Sequence, residues 1–564
     1  MKIMQPLSSK YVPQAWRFYS LWFLLCVSVM GILWRLIDLN VLDRCFLLKQ
    51  SKARILRNVS IPAYRGMITD RLGVPLAIST PVDSLWIDPQ LFQPTPIQLN
   101  KLAYFLRLSP SFIRKQAKKR ENRQFVYLKR GNPPFIAKAV LALHIPGVFF
   151  KREYKRYYPE GEVTAHVIGL TNIDDQGQEG LELAYNQWLA GTPGQDAVVK
   201  DRLGHVIPNV ALLKQPLQGH DLILSIDHRI QYLAYRALKE TVSNYHAASG
   251  SAVVLDVKTG EILAMVNQPS YNPNSRPNNH DGRYRNRAVT DMFEPGSVIK
   301  PFTIAFALES GEYTQDTKID TNPGWMKIGG YRISDTDLNH GIITLTQLLQ
   351  YSSNIAAAKI LLSLKPDHYY ALLRAFGFGE RTTSGFPGES MGTLISYNTW
   401  IPSVVATLSF GYGLAVTTLQ LAQGYAILEA GGIKRPVSFV KVDQPSSAGG
   451  GGVRILPKKV ATTVVKMLET VTQKGGTGAL GGVYHYRIAG KTGTAYISGP
   501  NGYDKHHYMS SFVGMASVNN PQLVVAVVIR DPREKHFGGV VAAPLFSKIM
   551  SGALRLLNIS PDNS

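Results

Sequence analysis

Seventeen consecutive uncharged residues, FYSLWFLLCVSVMGILW, lie between Arg17 and Arg35, with Tyr19, Trp22 and Trp34 near the ends where interfacial aromatics belong. The run predicts one short transmembrane helix over 18–37. A cleaved signal peptide is the rival reading, but the run is long for a signal core and no A-x-A-like cleavage site follows it. A retained anchor is therefore expected. Lys2, Lys10 and Arg17 precede the run, while Arg35, Arg44, Lys49, Lys52 and Arg54 follow it. Counting positive charges leaves the orientation open.

Beyond the anchor the pattern changes twice. From Ile61 to about Pro216 short β-like stretches such as SLWIDP and an amphipathic stretch near Ile97 to Leu106 alternate with Gly and Pro punctuation. From Asp221, DLILSIDHRIQYLAYRALKE joins a strand to an amphipathic helix. GSAVVLDVKTGEILAMVNQPSYNP then reads as a hairpin whose strands alternate around a Lys-Thr-Gly turn. A second domain is thus expected to begin near Asp221 and to run to about Leu557. It is interrupted by a low-complexity loop, Gln444 to Gly452. No internal repeat is visible.

With 564 residues and 45% hydrophobic content the chain can build two or three cored domains. Its two cysteines, Cys26 and Cys45, both precede residue 46, which excludes a disulfide framework or a Cys-based metal site from the body. A formal charge of +22 raises the question of a polyanionic partner. The basic clusters at Arg114 to Arg130 and Lys151 to Arg156 carry no zinc-finger, basic-zipper or RNA-recognition pattern. They read as solvated positive faces near anionic lipid or wall polymer, so no nucleic-acid partner is expected.

Three short motifs can carry chemistry. In EPGSVIKP, Ser297 opens a helix, and Lys300 falls on the same face within reach of its hydroxyl. A serine needs a base to become a nucleophile, and a helix N-terminus depresses a lysine pKa and favours negative charge on a substrate oxygen. Ser-x-x-Lys alone arises about twice by chance in a chain this long, and a solvated lysine on a helix start is the bland reading. Ser352-Ser353-Asn354 sits between two helical stretches, where capping is the ordinary explanation. Ser270 to Asn272, Ser396 to Asn398 and Ser517 to Asn519 repeat its spacing. Lys491-Thr492-Gly493-Thr494 is expected on a strand, with Gly493 permitting close approach by a ligand and the lysine and hydroxyls able to grip a carboxylate. The second Lys-Thr-Gly, at Lys258, is explained by its turn.

The order of the three, Ser297, Ser352, Lys491, is the specific signal, being the S-x-x-K, S-x-N and K-T-G set of penicillin-binding proteins and class A β-lactamases. Flanking text extends the likeness over nearly the whole chain: RGMITDR from Arg65, RYYPEGEVTAHVIG from Arg156, GQEGLE from Gly177, SFGYG from Ser409 and AGKTGTA. The chain resembles class B penicillin-binding proteins, and the division-specific group called penicillin-binding protein 3 more than its elongation counterpart.

The resemblance implies an α+β chain with a cytoplasmic tail (1–17), an anchor helix (18–37), a linker (38–60) and an elongated non-catalytic pedestal of dimerisation type (61–220). A transpeptidase domain (221–557) and a tail (558–564) follow. That domain is expected to hold a five-stranded antiparallel sheet with flanking helices and an all-helical subdomain. The implied activity is peptidoglycan D,D-transpeptidation through an acyl-Ser297 intermediate, on the outer side of the cytoplasmic membrane, with β-lactams acylating the same serine.

By the same resemblance Lys300 is the acylation base, Ser352 relays protons, Asn354 contacts the donor backbone and Lys491 completes the proton network. Thr492 and Thr494 hold the terminal carboxylate, and backbone N–H groups of Ser297 and Thr494 form the oxyanion hole. No cofactor and no metal are implied. The implied partners are stem peptides, the lipid-linked precursor, a septal glycosyltransferase and other division proteins. The triplet is Ser-Ser-Asn where β-lactamases carry Ser-Asp-Asn. The alternatives are an elongation-type transpeptidase, a β-lactam sensor or hydrolase, and a non-catalytic division scaffold.

Overall fold

The computed structural model describes residues 15–47, 49, 56–200, 206–275, 282–335, 339–442, 451–499, 502–516, 520 and 522–562. Most of the expected loop at Gln444 to Gly452, and the Ser517 to Asn519 triplet, lie outside them. By contacts the chain divides into two units, residues 1–63 with 192–217 and residues 64–191 with 218–564.

In the first unit a helix of 23 residues spans Ala15–Ile37, starting three residues ahead of the expected span. At 1.5 Å per residue it is about 35 Å long, enough for a bilayer core. Its large apolar side chains are exposed, as a lipid-facing helix requires. The expected linker carries structure: a π-helical turn at Asp38–Leu42 and a strand at Leu56–Ile61. That strand pairs antiparallel with Gly194–Lys200, which in turn pairs with Val206–Lys214.

The second unit begins with the residues expected to form the pedestal. The strand Pro75–Ile87 contains SLWI and pairs antiparallel with Val126–Asn132 and Val148–Tyr157. The amphipathic stretch is a helix, Pro96–Leu106, started by a Thr95/Gln98 capping box, with Leu99, Leu102, Ala103 and Leu106 buried. Three of the motifs noted above converge on one ion triad. Arg65 Nε and Arg156 Nε donate to the two oxygens of Glu182, at 2.8 and 2.6 Å, with all three residues buried.

Deleting Glu182 would strand two guanidinium groups in a water-poor interior. Glu182→Ala is therefore expected to lower stability by about 3–5 kcal/mol, read by thermal unfolding of the purified chain. An unchanged transition would show that the triad contributes nothing net.

The strand Leu222–Ile223 pairs in parallel with Ile68–Thr69, so residues just past the expected boundary complete a pedestal sheet. A five-stranded antiparallel sheet follows, in the order Ile262–Gln268, Ser249–Asp256, Leu523–Arg530, Gly502–Ala516, Ala489–Gly499. Strands Ile262–Gln268, Ser249–Asp256 and Leu523–Arg530 are buried on both faces, which is why they read as near-continuous apolar runs. Period-two geometry sends Ala252 and Val254 into a core with helices His228–Asn244 and Gly538–Leu556. It sends Val253 and Leu255 into the opposite core, with Thr418–Glu429.

The other helices, Leu345–Tyr351, Asn354–Ser363, Pro366–Phe376 and Pro402–Leu408 among them, lie beyond that second face. Helix Lys300–Glu309 runs through this core with Phe302 and Ile304 fully buried, so the residues at its start have little freedom to move.

Candidate active site

Ser297 lies in a 3-10 turn, Gly296–Ile299, that leads directly into helix Lys300–Glu309. The turn is pressed against the edge strand of the sheet. A Cβ on Gly493 would lie 2.3 Å from Ser511 Oγ and 2.9 Å from Pro295 O. Gly493 is thus required by the protein's own close approach, whether or not a ligand also approaches it. Gly296 adopts φ +58° in the same contact, so both partners of the seam are glycines.

The Ser-Ser-Asn triplet joins two helices. Ser352 ends helix Leu345–Tyr351 in the left-handed region, at φ 63°, which is uncommon for a residue with a Cβ and turns its hydroxyl out of the helical path. Ser353 is the ordinary cap, its hydroxyl accepting Ala356 N at 3.1 Å. The capping expected of the triplet thus falls to Ser353.

These elements bring the expected groups together. Lys300 Nζ lies 3.0 Å from Ser297 Oγ, 3.2 Å from Ser352 Oγ, 2.5 Å from Ser352 O and 2.8 Å from Asn354 Oδ1. Lys491 Nζ, reaching from the edge strand, is 2.9 Å from Ser352 Oγ. Both lysine residues are fully buried. Burial, with the nearby Lys491 charge second, holds the Lys300 amine well below the usual lysine range, and Asp335 opposes this. Burial brings Lys491 down to about 7.

The contacts fix how a neutral Lys300 points its lone pair. A carbonyl and an amide oxygen can only accept, so Ser352 O and Asn354 Oδ1 take the two N–H groups of the free amine. The lone pair is left for a hydroxyl, and Ser297 Oγ is the nearer of the two. Ser352 Oγ, between both amines, can pass a proton from one to the other.

Around this centre the residues diverge in role. Asn354 Nδ2 donates one of its two N–H groups to Ser334 O at 3.1 Å. Thr492 is buried and its hydroxyl donates to Thr477 Oγ1 at 3.0 Å. Thr494 is half-exposed, and its Oγ1 accepts Gly538 N at 3.0 Å. The strand bearing them is at the edge of the sheet, so alternate backbone groups lack sheet partners.

Rival copies of two of the motifs are occupied elsewhere. Lys258 and Thr259 sit in a turn whose backbone N–H groups are held by Asp256. A second Ser-x-x-Lys, Ser438 to Lys441, has its hydroxyl on Val440 O and its amine on Arg71 O.

Asp335 was not legible in any motif. It accepts from Ser353 Oγ at 2.7 Å, Asn354 N at 2.6 Å and Ile355 N at 3.1 Å, capping the helix that carries Asn354. Its charge also raises the Lys300 pKa. Asp335→Ala is accordingly expected to do two things. Loss of a cap worth about 1 kcal/mol loosens the turn that holds the Lys300 amine and should lower the acylation plateau by up to about fivefold. Loss of the charge should move the acid limb of the pH profile to lower pH, because the amine then deprotonates more readily. A pH series of penicillin acylation rates checks both, and an upward shift would contradict this role.

Comparisons with known proteins agree with this geometry. Residues 250–551 match the penicillin-binding protein transpeptidase domain and residues 60–224 the penicillin-binding protein dimerisation domain. The chain is 42% identical over 550 residues to the probable peptidoglycan D,D-transpeptidase PbpC of Pseudomonas aeruginosa, covering 97% of this chain and 96% of that one. It is 40% identical over 554 residues to the peptidoglycan D,D-transpeptidase FtsI of Escherichia coli, covering 97% and 93%. Penicillin binding protein 3 of Mycobacterium tuberculosis, solved with aztreonam, superposes with a TM-score of 0.69 at 27% identity, covering 89% of this chain and 98% of that one. On fold, site geometry and sequence together, the chain is a member of the class B penicillin-binding protein family, in which a dimerisation domain precedes a transpeptidase domain.

Proposed function

We propose that this protein is a D,D-transpeptidase that cross-links peptidoglycan stem peptides at the division septum. The observation that carries the chemistry is the buried amine of Lys300 beside Ser297 Oγ, linked through Ser352 Oγ to the buried amine of Lys491. Neutral Lys300 takes the Ser297 proton as Oγ attacks the carbonyl carbon of the penultimate D-Ala. Backbone N–H groups of Ser297 and Thr494 hold the oxyanion, each worth a few kcal/mol of barrier. The C–N bond breaks, a proton relayed through Ser352 reaches the departing amine, and terminal D-Ala leaves.

An amine of a neighbouring stem then attacks the ester, loses its proton along the same path, and Ser297 regains its hydrogen. Thr492 and Thr494 orient the donor carboxylate, and Asn354 its backbone. Division of the chain into tail (1–17), anchor (18–37), linker (38–60), pedestal (61–220), transpeptidase domain (221–557) and tail (558–564) suits this task. So does placement of the anchor helix in the cytoplasmic membrane with the site on its outer side. A partner glycosyltransferase and other division proteins would supply glycan strands and place the enzyme.

The test is a purified full-length chain given a donor peptide ending in D-Ala-D-Ala and an amine acceptor. Release of D-Ala with transfer to the amine, together with a long-lived penicillin adduct, is expected. Rapid penicillin turnover without transfer would make the protein a hydrolase, and neither reaction would make it a scaffold.

A further inference from the structure

Away from the catalytic cleft, the lobe built on strand Pro75–Ile87 carries a surface that catalysis does not explain. Helices Pro96–Leu106 and Pro134–Leu141 lie side by side and run antiparallel. Gln98 Nε2 of the first donates to Leu143 O just beyond the second, while Tyr104 and Ile136 meet at the other end. At that end, where the first helix turns into helix Pro110–Lys119, opens a groove of about 570 Å³ lined by Asn100, Ala103, Tyr104, Leu108 and Pro110, with Arg107 at its margin and Ile136 contributed by the second helix. At the groove Tyr104 is 80% exposed, Phe135 next to Ile136 is 68% exposed, and Ile97, two turns back along the first helix, is 70% exposed. Ile97 and Tyr104, seven residues apart, share one face of their helix. Exposed large residues clustered around a concavity mark an interaction site more than scattered surface leucines would.

The charge around the groove is of one sign. Residues 89–152 contain thirteen Lys or Arg and a single acid, Glu121. Arg130, Lys151 and Arg152 have carboxylate partners in Glu153, Asp174 and Asp83. Among the described residues no carboxylate pairs with Lys101, Lys138, Arg107, Arg114 or Lys115. Lys101 stands on the exposed face between Ile97 and Tyr104, and Lys138 on the facing helix.

We propose that this surface docks an acidic amphipathic helix of a partner protein, its apolar stripe seated in the groove and along the Ile97–Tyr104 face, and its carboxylates facing Lys101, Arg107 and Lys138. A helix of three turns, about 16 Å, matches the 11-residue length of Pro96–Leu106. A second copy of this chain is a poor occupant, since it brings the same excess of positive charge. An anionic bilayer is a poor one too, because a concave groove admits side chains whereas a membrane takes up a protruding apolar face.

The experiment uses the full chain in detergent and three synthetic probes. These are a helix-forming 16-residue peptide with Leu at i, i+3, i+4 and i+7 and Glu on its flanks, the same peptide with Lys for Glu, and a scrambled Glu peptide. Micromolar, saturable binding of the first alone is expected. Tyr104→Ala should weaken it about tenfold, as for a hot-spot tyrosine, with penicillin labelling unchanged as the control for folding. Lys101→Glu combined with Lys138→Glu should transfer preference to the Lys peptide. Equal binding of the scrambled peptide, indifference to these substitutions, or binding to phosphatidylglycerol vesicles that Tyr104→Ala weakens while no peptide binds would each overturn the assignment.

Discussion

Replacing Ser297 by alanine is expected to abolish both covalent labelling by penicillin and D-Ala release, a loss on the order of 10⁶-fold for a nucleophile deletion. The cause is local. Lys300 Nζ has Ser297 Oγ and Ser352 Oγ as its two hydroxyl neighbours, and only the first stands in the seam against the Thr494 strand. Ser352 is held in a left-handed turn between both lysine amines, a position suited to passing protons. The substitution removes one half-exposed hydroxyl, so unfolding should shift by no more than about 0.5 kcal/mol. Residual labelling at the wild-type rate would mean that another residue is acylated.

The second large effect concerns the base. Lys300→Ala is expected to slow acylation roughly 10³-fold, the usual worth of a positioned general base. Lys300→Arg discriminates between two explanations of that loss. A guanidinium keeps the positive charge but cannot give up its proton near neutral pH, so it should not restore the rate if Lys300 must act as a neutral amine. Were Lys300 needed only as a cation, arginine would restore much of it.

The pH dependence follows with a definite sign. Below its lowered pKa the Lys300 amine carries a third proton and has no lone pair, so acylation should fall as pH drops and reach a plateau as pH rises. Lys491, with a pKa of about 7, shares the same hydroxyl, so the fall should extend through neutrality as a property of the coupled pair. Stopped-flow acylation between pH 5 and pH 9, with a chromogenic β-lactam, checks the sign. A rate that rises on acidification would contradict it.

How much of this was legible in the sequence depends on whether a contact is local. Ser297 and Lys300 are one helical turn apart, so spacing alone gives their proximity once a helix start is recognised. Lys491 is 139 residues from Ser352, and only the joint order of three weak motifs pointed to that meeting. Asp335 had no such signal. It lies 18 to 20 residues from the groups it caps, and a lone aspartate after a short strand has no motif. The pedestal motifs around Arg65, Arg156 and Glu182 were visible as text, but their purpose was not. An ion triad whose members are 26 to 117 residues apart has no periodicity to betray it.

Close approach was anticipated at Gly493 from a ligand, and Pro295 O and Ser511 Oγ of the protein itself also crowd it. The expected linker at 38–60 likewise carries a strand, because Leu56–Ile61 finds its partner at Gly194–Lys200, far along the chain.

The most direct test is the mass of the intact protein after reaction with penicillin, followed by peptide mapping. One adduct per chain, stable over the experiment and confined to the peptide carrying Ser297, is expected, with none in Ser297→Ala. An adduct on any other peptide, or one that forms equally in the alanine variant, would contradict the assignment of Ser297 as the nucleophile.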